Sequence, residues 1–327
     1  MKVLIFIQWP VKAWSIPDAQ VAAIASAFPD VEFVRAFTVE EAARAIVEVD
    51  ACFTPFMTAE MVASAPKLRW VHSPAAAVEG LLPLEQLAAA GVTVTNSRGV
   101  QAIPIAEHVM GGILLLSRRF DRTLAAQAQR QWIQNELSVE WPWLLHGQRM
   151  TIVGLGTIGM EIAKRAHAFG IQITGVRRHP NQPKPAFVDE VIGPDQLDEA
   201  LQGRDLLVLS APGVASTNGI ISAKRLARLN RGALLVNVAR AGIVHHDSMC
   251  AMLRNGHLGG AVLDVFEREP LEEDSPLWSM PNVVITPHSA GFRELHWQDV
   301  AAMYVNNLGR YLRGDGLENP VDLAAGY

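Results

Sequence analysis

Short apolar runs alternate with segments of helical periodicity along almost the whole chain. A first series of predicted strands covers residues 3–7, 51–54, 69–72 and 92–95, and Ala-rich helical segments lie between them at 18–28, 39–47 and 84–90. A second series begins near Met150 and covers residues 151–153, 171–176, 206–210, 234–238, 261–265 and 283–286. Strands that alternate with helices of this length form parallel sheets covered by helices. The sequence therefore predicts an α/β protein with two doubly wound parallel-sheet domains.

Length and charge exclude several classes of protein. A chain of 327 residues is long enough for two domains. Its formal charge is −5 and its basic residues form no long run, so we expect no nucleic acid and no membrane as a partner. The apolar runs at 3–7 and 109–116 are too short for a secretory signal or a membrane span. Cys52 and Cys250 have no paired or metal-like spacing, which favours free thiols, no metal site and a cytoplasmic location.

Three other segments help to organise the chain. Residues 104–119 are a predicted helix, because Pro104 suits its first turn and Arg118 and Arg119 suit its last. We expect this helix to link the two domains. Residues 295–312 are a final helix with no strand after it. The Pro-rich segment 181–185 is interpreted as a connection from a strand to a helix.

A glycine-rich turn follows the first strand of the second series. Glycines stand at 154, 156 and 159, after a predicted strand and before the predicted helix 160–169. In a dinucleotide-binding turn the first glycine makes the bend, the second admits the pyrophosphate and the third allows close packing of helix on strand. Two other interpretations remain: a tight turn without a ligand, and a methyltransferase that binds S-adenosylmethionine in a similar turn.

Two arginines stand where an acidic residue is expected. About 20 residues beyond such a turn, an Asp or Glu usually accepts hydrogen bonds from the ribose of NAD. Here Arg177 lies 18 residues beyond Gly159, and Arg178 is next to it. Guanidinium groups attract the 2′-phosphate of NADP, which a carboxylate would repel. The pair therefore predicts a preference for NADPH over NADH, unless both arginines are simply solvated.

Arg240, Glu269 and His288 each follow a different predicted strand, downstream of the glycine turn. Ligands of open α/β sheets bind beyond the carboxyl ends of the strands. Taken alone, a loop Arg is usually solvated and a single His is usually structural. Three titratable or charged residues after consecutive strands are better explained by an active site.

The chain resembles the D-isomer-specific 2-hydroxyacid dehydrogenase family, and in particular its glyoxylate/hydroxypyruvate reductases. The matching motifs are GLGTIG (154–159), NVARAGIV (237–244), LDVFEREPL (263–271), TPHSAG (286–291), NSRG (96–99) and AEH (106–108). The resemblance implies a Rossmann-like nucleotide domain, residues 99–289, inserted in a flavodoxin-like substrate domain, residues 1–98 and 290–327. It also implies a homodimer joined through the nucleotide domain.

The resemblance implies reduction of a 2-keto acid to a (2R)-2-hydroxy acid. Arg240 would bind the substrate carboxylate and polarise the carbonyl, since its planar fork suits both oxygens. His288 would donate the proton as hydride arrives from the nicotinamide, and Glu269 would favour its imidazolium form. Main-chain N–H groups of Ala76 and Ala77 are the further candidates for binding the carboxylate.

The expected cofactor is NADP, the preferred choice, or NAD. The residues predicted to bind it are Gly154, Gly156, Thr157, Ile158, Gly159, Arg177, Arg178, Ala211, Pro212, Val238, Ala239, Asp264 and His288.

Three residues depart from the family pattern. Ala241 replaces a usual glycine, His245 a usual Asp and Ala102 a frequent Thr.

Two other functions remain open. A non-enzymatic, cofactor-binding corepressor is one alternative, although this chain has no extended charged arm. Formate dehydrogenase is another, but that related enzyme carries Gln where Glu269 stands.

Overall fold

A computed structural model describes residues 1–81 and 84–327. The chain forms two compact units: Met1–Val100 together with Phe292–Tyr327, and Gln101–Gly291. The sequence-based boundaries, after residues 98 and 289, each lie two residues before these positions.

The smaller unit contains a parallel sheet of five strands. Its elements are β1 (Lys2–Ile5), α1 (Asp18–Ala27), β2 (Glu32–Arg35), α2 (Val39–Ala45), β3 (Ala51–Phe53), α3 (Ala59–Ala63), β4 (Trp70–Ser73), α4 (Leu84–Ala89) and β5 (Thr93–Asn96). The strand order is β2-β1-β3-β4-β5, with every pair parallel. This is the order of flavodoxin-like sheets.

The larger unit contains a parallel sheet of seven strands. Its elements are α5 (Ala102–Ser117), α6 (Phe120–Ala128), α7 (Gln134–Leu137), β6 (Arg149–Val153), α8 (Thr157–Ala168), β7 (Gln172–Val176), β8 (Glu190–Ile192), α9 (Leu197–Leu201), β9 (Leu206–Leu209), α10 (Ala223–Leu226), β10 (Ala233–Asn237), α11 (His246–Arg254), β11 (Leu258–Leu263) and β12 (Val283–Ile285). The order β8-β7-β6-β9-β10-β11-β12 extends the Rossmann arrangement by one strand. The chain then returns to the smaller unit as α12 (His296–Arg313). The predicted fold class is confirmed.

The central strands of the larger sheet are apolar on both faces. All residues of β9 and β10 are buried. Leu207 and Leu235 belong to one hydrophobic cluster, whereas Leu206 and Val236 belong to another. Because successive side chains of a strand point to opposite faces, helices must cover both sides of the sheet. Full burial of each such side chain stabilises the fold by about 2 kcal/mol.

Two predictions about connecting segments were wrong. The Pro-rich segment 181–185 joins β7 to β8, so it connects two strands and not a strand to a helix. Helix α5, predicted as a link between domains, lies within the larger unit and packs there against α8. It begins at Ala102 and ends at Ser117, and Arg119 beyond it has a left-handed backbone with φ 60°.

No helix among residues 1–81 and 84–327 combines the length and the apolar character needed to cross a membrane. Cys52 and Cys250 are both free and buried.

Candidate active site

The glycine-rich turn lies between the end of β6 and the start of α8. Gly154 has φ +101°, and a Cβ atom there would overlap the main-chain N of Ala211. Gly159 is packed against the carbonyl oxygen of Gly154 in the same way. A Cβ on Gly156, by contrast, would meet no atom of the described residues within 4 Å. Packing within the protein therefore explains Gly154 and Gly159 but not Gly156, and close approach of a pyrophosphate does explain it.

The first turn of α8 is suited to a negative charge. Gly156 occupies the N-cap position without a capping side chain, and the first turn carries no acidic residue. Thr157 is exposed and Ile158 is half-buried. Main-chain N–H groups at the start of a helix, together with the helix dipole, attract phosphate. The residues of this turn thus fit the pyrophosphate of NAD or NADP.

Arg177 and Arg178 follow β7 directly, and their side chains have different environments. The guanidinium of Arg177 donates to the carbonyl oxygens of Gln182 and of Pro183, the latter at 3.2 Å. Arg178 is exposed, whereas Arg177 is half-buried. Arg177 therefore holds the connection to β8 in place, which the sequence did not predict.

Glu269 and His288 are in direct contact. Nδ1 of His288 lies 2.7 Å from Oε2 of Glu269, and Oε1 of Glu269 accepts a hydrogen bond of 2.9 Å from the main-chain N–H of Phe266. The side chains are 45% and 35% exposed, so the pair is open to a ligand. The contact of Nδ1 with the carboxylate fixes which ring nitrogen of His288 faces outward.

The loop that carries His288 is held by buried Asp264. The carboxylate of Asp264 accepts from the hydroxyl of Thr286 at 2.6 Å and from the main-chain N–H groups of Ser289 and Ala290 at 2.9 and 3.0 Å. The main-chain N–H of His288, whose φ is 51°, donates to the carbonyl oxygen of Asp264 at 3.0 Å. Asp264 was predicted as a cofactor-binding residue, and its carboxylate faces the His288 loop.

Arg240 follows β10, which neighbours β11 in the sheet, and β11 neighbours β12. Nη1 of Arg240 donates to the carbonyl oxygen of Ala239 at 2.6 Å. The side chain of Asn237 shapes the turn, since it donates to the carbonyl oxygen of Arg240 and accepts from the N–H of Ala239, both at 3.1 Å. The segments bearing Arg240, Glu269 and His288 thus leave the carboxyl ends of three adjacent parallel strands.

The remaining predicted cofactor residues lie at the same edge of this sheet. Ala211 and Pro212 follow β9, and Val238 and Ala239 follow β10. Three of them, Ala211, Val238 and Ala239, are at most 8% exposed, so only their main chain and a small part of their side chains can meet a ligand.

The residues that depart from the family pattern have local structural roles. His245 is the N-cap of α11: its Nδ1 accepts from the N–H of Ser248 at 3.4 Å and lies 2.8 Å from the Ser248 hydroxyl oxygen. Ala241 begins a single helical turn, Ala241–Ile243, and Ala102 begins α5.

In the smaller unit, Ala76 and Ala77 belong to a half-buried loop after β4. The carbonyl oxygen of Ala76 accepts from Nδ2 of Asn96 at 2.7 Å, and that of Ala77 from the hydroxyl of Ser73 at 3.1 Å. Sequence analysis gave no role to Asn96 or Ser73. The feature that could have drawn attention to them is a polar residue at the end of each of two strands. These strands, β4 and β5, pair directly in the sheet.

His72, in the strand β4 that precedes this loop, is fully buried. His72 Nδ1 is 2.7 Å from the hydroxyl oxygen of Thr95, and its Nε2 is 3.1 Å from that of Ser97. Burial lowers the pKa of His72 to about 3, so the ring is neutral at physiological pH.

The comparison with protein families agrees with this geometry. The model of the D-isomer specific 2-hydroxyacid dehydrogenase NAD binding domain matches residues 110–290. The chain belongs to this family. The matched region contains the glycine turn, Arg240, Glu269 and His288.

Three relatives illustrate the family. The chain is 28% identical over 299 residues to D-3-phosphoglycerate dehydrogenase of Methanocaldococcus jannaschii, covering 90% of this chain but only 56% of that longer protein. It is 30% identical over 298 residues to glyoxylate/hydroxypyruvate reductase B of Klebsiella pneumoniae, covering 89% and 90% of the two chains. The NADPH-dependent glyoxylate/hydroxypyruvate reductase of Sinorhizobium meliloti, solved with NADP and sulfate, is 27% identical with a TM-score of 0.84 over 100% of both chains.

Family membership confirms the predicted oxidoreductase class and NAD or NADP as the cofactor. Because the relatives are named dehydrogenases and reductases, they do not favour the corepressor-like alternative.

Proposed function

We propose that this protein reduces a small 2-keto acid to a (2R)-2-hydroxy acid and prefers NADPH as the hydride donor. The observation that carries the proposal is the 2.7 Å contact of His288 with Glu269, open to ligands at the sheet edge that also bears the glycine turn and Arg240. Glyoxylate and hydroxypyruvate are the first candidate substrates, because the Klebsiella and Sinorhizobium relatives are named as reductases of these acids.

Each side chain has one task in this reaction. Arg240 binds the substrate carboxylate and polarises the ketone through its guanidinium. The bound nicotinamide supplies the hydride. His288 gives a proton to the carbonyl oxygen, and Glu269 orients its ring through the contact at Nδ1.

The two units have different roles in this proposal. The larger unit, close to residues 99–289, holds the cofactor on the glycine turn. The smaller unit, close to residues 1–98 and 290–327, is the proposed substrate domain, and the main-chain N–H groups of Ala76 and Ala77 are its candidate donors to a carboxylate.

The preference for NADPH rests on the arginine pair after β7. Arg178 is the exposed member and would pair directly with the 2′-phosphate. Arg177 adds positive charge and holds the loop at Gln182 and Pro183.

We also propose that the protein is a cytoplasmic homodimer joined through the larger unit. Residues 120–144 carry several large apolar side chains that are 52–87% exposed, namely Phe120, Leu124, Trp132, Val139, Trp141 and Leu144. So many exposed apolar groups in one segment indicate a protein interface. Light scattering should give the mass of two chains, and Trp132→Glu should lower it.

The test of the function is a steady-state assay with glyoxylate, hydroxypyruvate, pyruvate and phenylpyruvate, each with NADPH and NADH. The proposal expects turnover of at least one keto acid and loss of nearly all of it in Arg240→Ala. If the folded wild-type protein binds NADPH but reduces none of the acids, the protein acts by binding and not by catalysis.

A further inference from the structure

Helix α5 packs closely against strand β11 within the larger unit, and this packing brings His108 to the carboxyl end of that strand. A Cβ atom on Gly112 would lie 2.7 Å from Cγ1 of Val262, so a larger residue would separate the helix from the strand. His108 comes one helical turn before Gly112 and faces the same side of α5. Four residues of a helix and two residues of a strand each span about 6–7 Å. His108 therefore lies at the level of Asp264, two residues beyond Val262.

The hydrogen bond between His108 and Thr286 has a defined direction. Nε2 of His108 lies 3.1 Å from the hydroxyl oxygen of Thr286. That hydroxyl has a single hydrogen, which it donates to Oδ1 of Asp264 at 2.6 Å. Nε2 of His108 therefore carries a hydrogen and donates it to Thr286. The three side chains form a continuous series of hydrogen bonds, from the helix through the loop to the carboxylate.

This series ends on the carboxylate that holds the main chain around His288. Asp264 is 2% exposed and accepts from the N–H groups of Ser289 and Ala290 at 2.9 and 3.0 Å. Between Thr286 and Ser289, the backbone of His288 is left-handed, with φ 51°. A residue with a side chain adopts this conformation only where its surroundings impose it. Glu269 contacts the ring of His288, whereas the series that begins at His108 restrains its main chain.

We infer that His108 is a positioning residue for His288 and acts through Thr286 and Asp264. The inference rests on the proposed function, because it names what holds the proton donor in place. Proton transfer requires the donor to lie within hydrogen-bond distance of the acceptor. A small displacement of the loop therefore lowers kcat. Binding of the substrate carboxylate by Arg240 does not use this series of hydrogen bonds, so KM should change far less.

The experiment is a double-mutant cycle of His108→Leu and Thr286→Val. Both kcat and KM are measured with the preferred keto acid at saturating NADPH. His108→Leu should lower kcat about tenfold, with KM changed far less. Thr286→Val should act in the same direction, and adding His108→Leu to it should cause little further loss, because the partner of His108 is already absent. His108→Gln, which keeps a side-chain N–H donor, should restore most of kcat.

A second measurement does not depend on activity. Amide hydrogen exchange reports how readily the N–H groups of Ser289 and Ala290 leave the carboxylate of Asp264. These two amides should exchange about tenfold faster in His108→Leu than in wild type. If His108→Leu does not fold, His108→Asn replaces it, because its amide is one carbon shorter than that of Gln and does not reach Thr286.

His257→Leu is the matched control. His257 is half-buried like His108, and its Nε2 also contacts an oxygen, the carbonyl oxygen of Leu226 at 3.1 Å. It comes directly before β11, at the opposite edge of the sheet from His288. The change should lower the melting temperature without altering kcat or the exchange of the loop amides.

The outcomes separate the two ideas. Wild-type kcat and exchange in His108→Leu, additive losses in the cycle, or a kcat that His108→Gln does not restore would overturn the positioning role. If the wild type reduces no keto acid, but the amides of Ser289 and Ala290 exchange faster in His108→Leu and not in His257→Leu, the proposed function fails. The role of His108 in holding the loop then stands.

Discussion

Gly213 lies directly against the side chain of Arg240: a Cβ atom on Gly213 would be 2.5 Å from Cγ of Arg240 and 3.2 Å from its Cβ. Gly213 belongs to the segment after β9, and Arg240 follows the neighbouring strand β10. Any side chain at position 213 must therefore displace the stem of the residue that we propose as the carboxylate anchor.

Gly213→Ala should lower kcat/KM for the keto acid by about tenfold or more, because a small misplacement of a binding group is costly in catalysis. Gly111→Ala is the control, since a Cβ at that exposed position in α5 meets no described atom within 4 Å. It should keep wild-type kinetics and gain about 1 kcal/mol of stability from helix propensity. Equal activity of the two variants would show that Gly213 does not set the position of Arg240.

The cofactor preference should depend on Arg178 more than on the hydrogen bonds of Arg177. Loss of one charge-assisted hydrogen bond costs roughly 1.5–3 kcal/mol, so Arg178→Ala should reduce kcat/KM for NADPH by at least about tenfold and leave NADH nearly unaffected. Arg177→Asp should also shift the preference toward NADH, because a carboxylate repels the 2′-phosphate, and should loosen the loop at Gln182 and Pro183. A wild-type enzyme that favours NADH would refute this account of the arginine pair.

His72 should make the protein less stable in mild acid. Burial lowers its pKa to about 3, whereas an unfolded chain has a His pKa of about 6.5. Between these values the unfolded state binds more protons than the folded state. The stability contribution is therefore complete above about pH 6.5 and is lost as pH falls.

From pH 7 to pH 5 this single group should lower the free energy of unfolding by about 2 kcal/mol, measured by urea denaturation. His72→Gln, which keeps polar atoms at the site but cannot titrate, should show a smaller loss over the same range. Identical losses in both proteins would mean that His72 is not the group responsible.

The sequence located the strands that carry the candidate site in the larger unit. The glycine turn, Arg240, Glu269 and His288 follow apolar runs that also mark the buried strands β6, β10, β11 and β12, so a local pattern located both. Strands β2 and β8 were missed. They are edge strands with Glu32 and Glu190 exposed, and they lack the continuous apolar run of a central strand.

Contacts between distant residues could not be predicted. Asn96 meets Ala76 from 20 positions away, and Asp264 meets Ala290 from 26 positions away. Such contacts depend on which strands are neighbours, and one sequence does not state this order. The hydrogen bonds of Arg177 to Gln182 and Pro183 were missed for a different reason: the loop was assigned to the wrong pair of elements.

His245→Asp should stabilise the protein by about 0.5–1 kcal/mol. Asp is a preferred N-cap, and its negative charge interacts favourably with the N-terminus of α11, where His245 now accepts from Ser248. The same change at His167, in the last turn of α8, should destabilise by a similar amount because the helix dipole there has the opposite sign. Thermal unfolding of both variants measures this; a shift in the same direction for both would contradict the capping role.

The most direct test of the central claim is kcat/KM for keto-acid reduction, measured in wild type, His288→Gln and Glu269→Gln. If the ring of His288, held by Glu269 at 2.7 Å, donates the proton to the substrate oxygen, both variants lose activity by about tenfold or more, and Glu269→Gln keeps the wild-type affinity for NADPH. Wild-type kcat/KM in either variant would contradict the account, because the proton would then come from a group outside the His288–Glu269 pair.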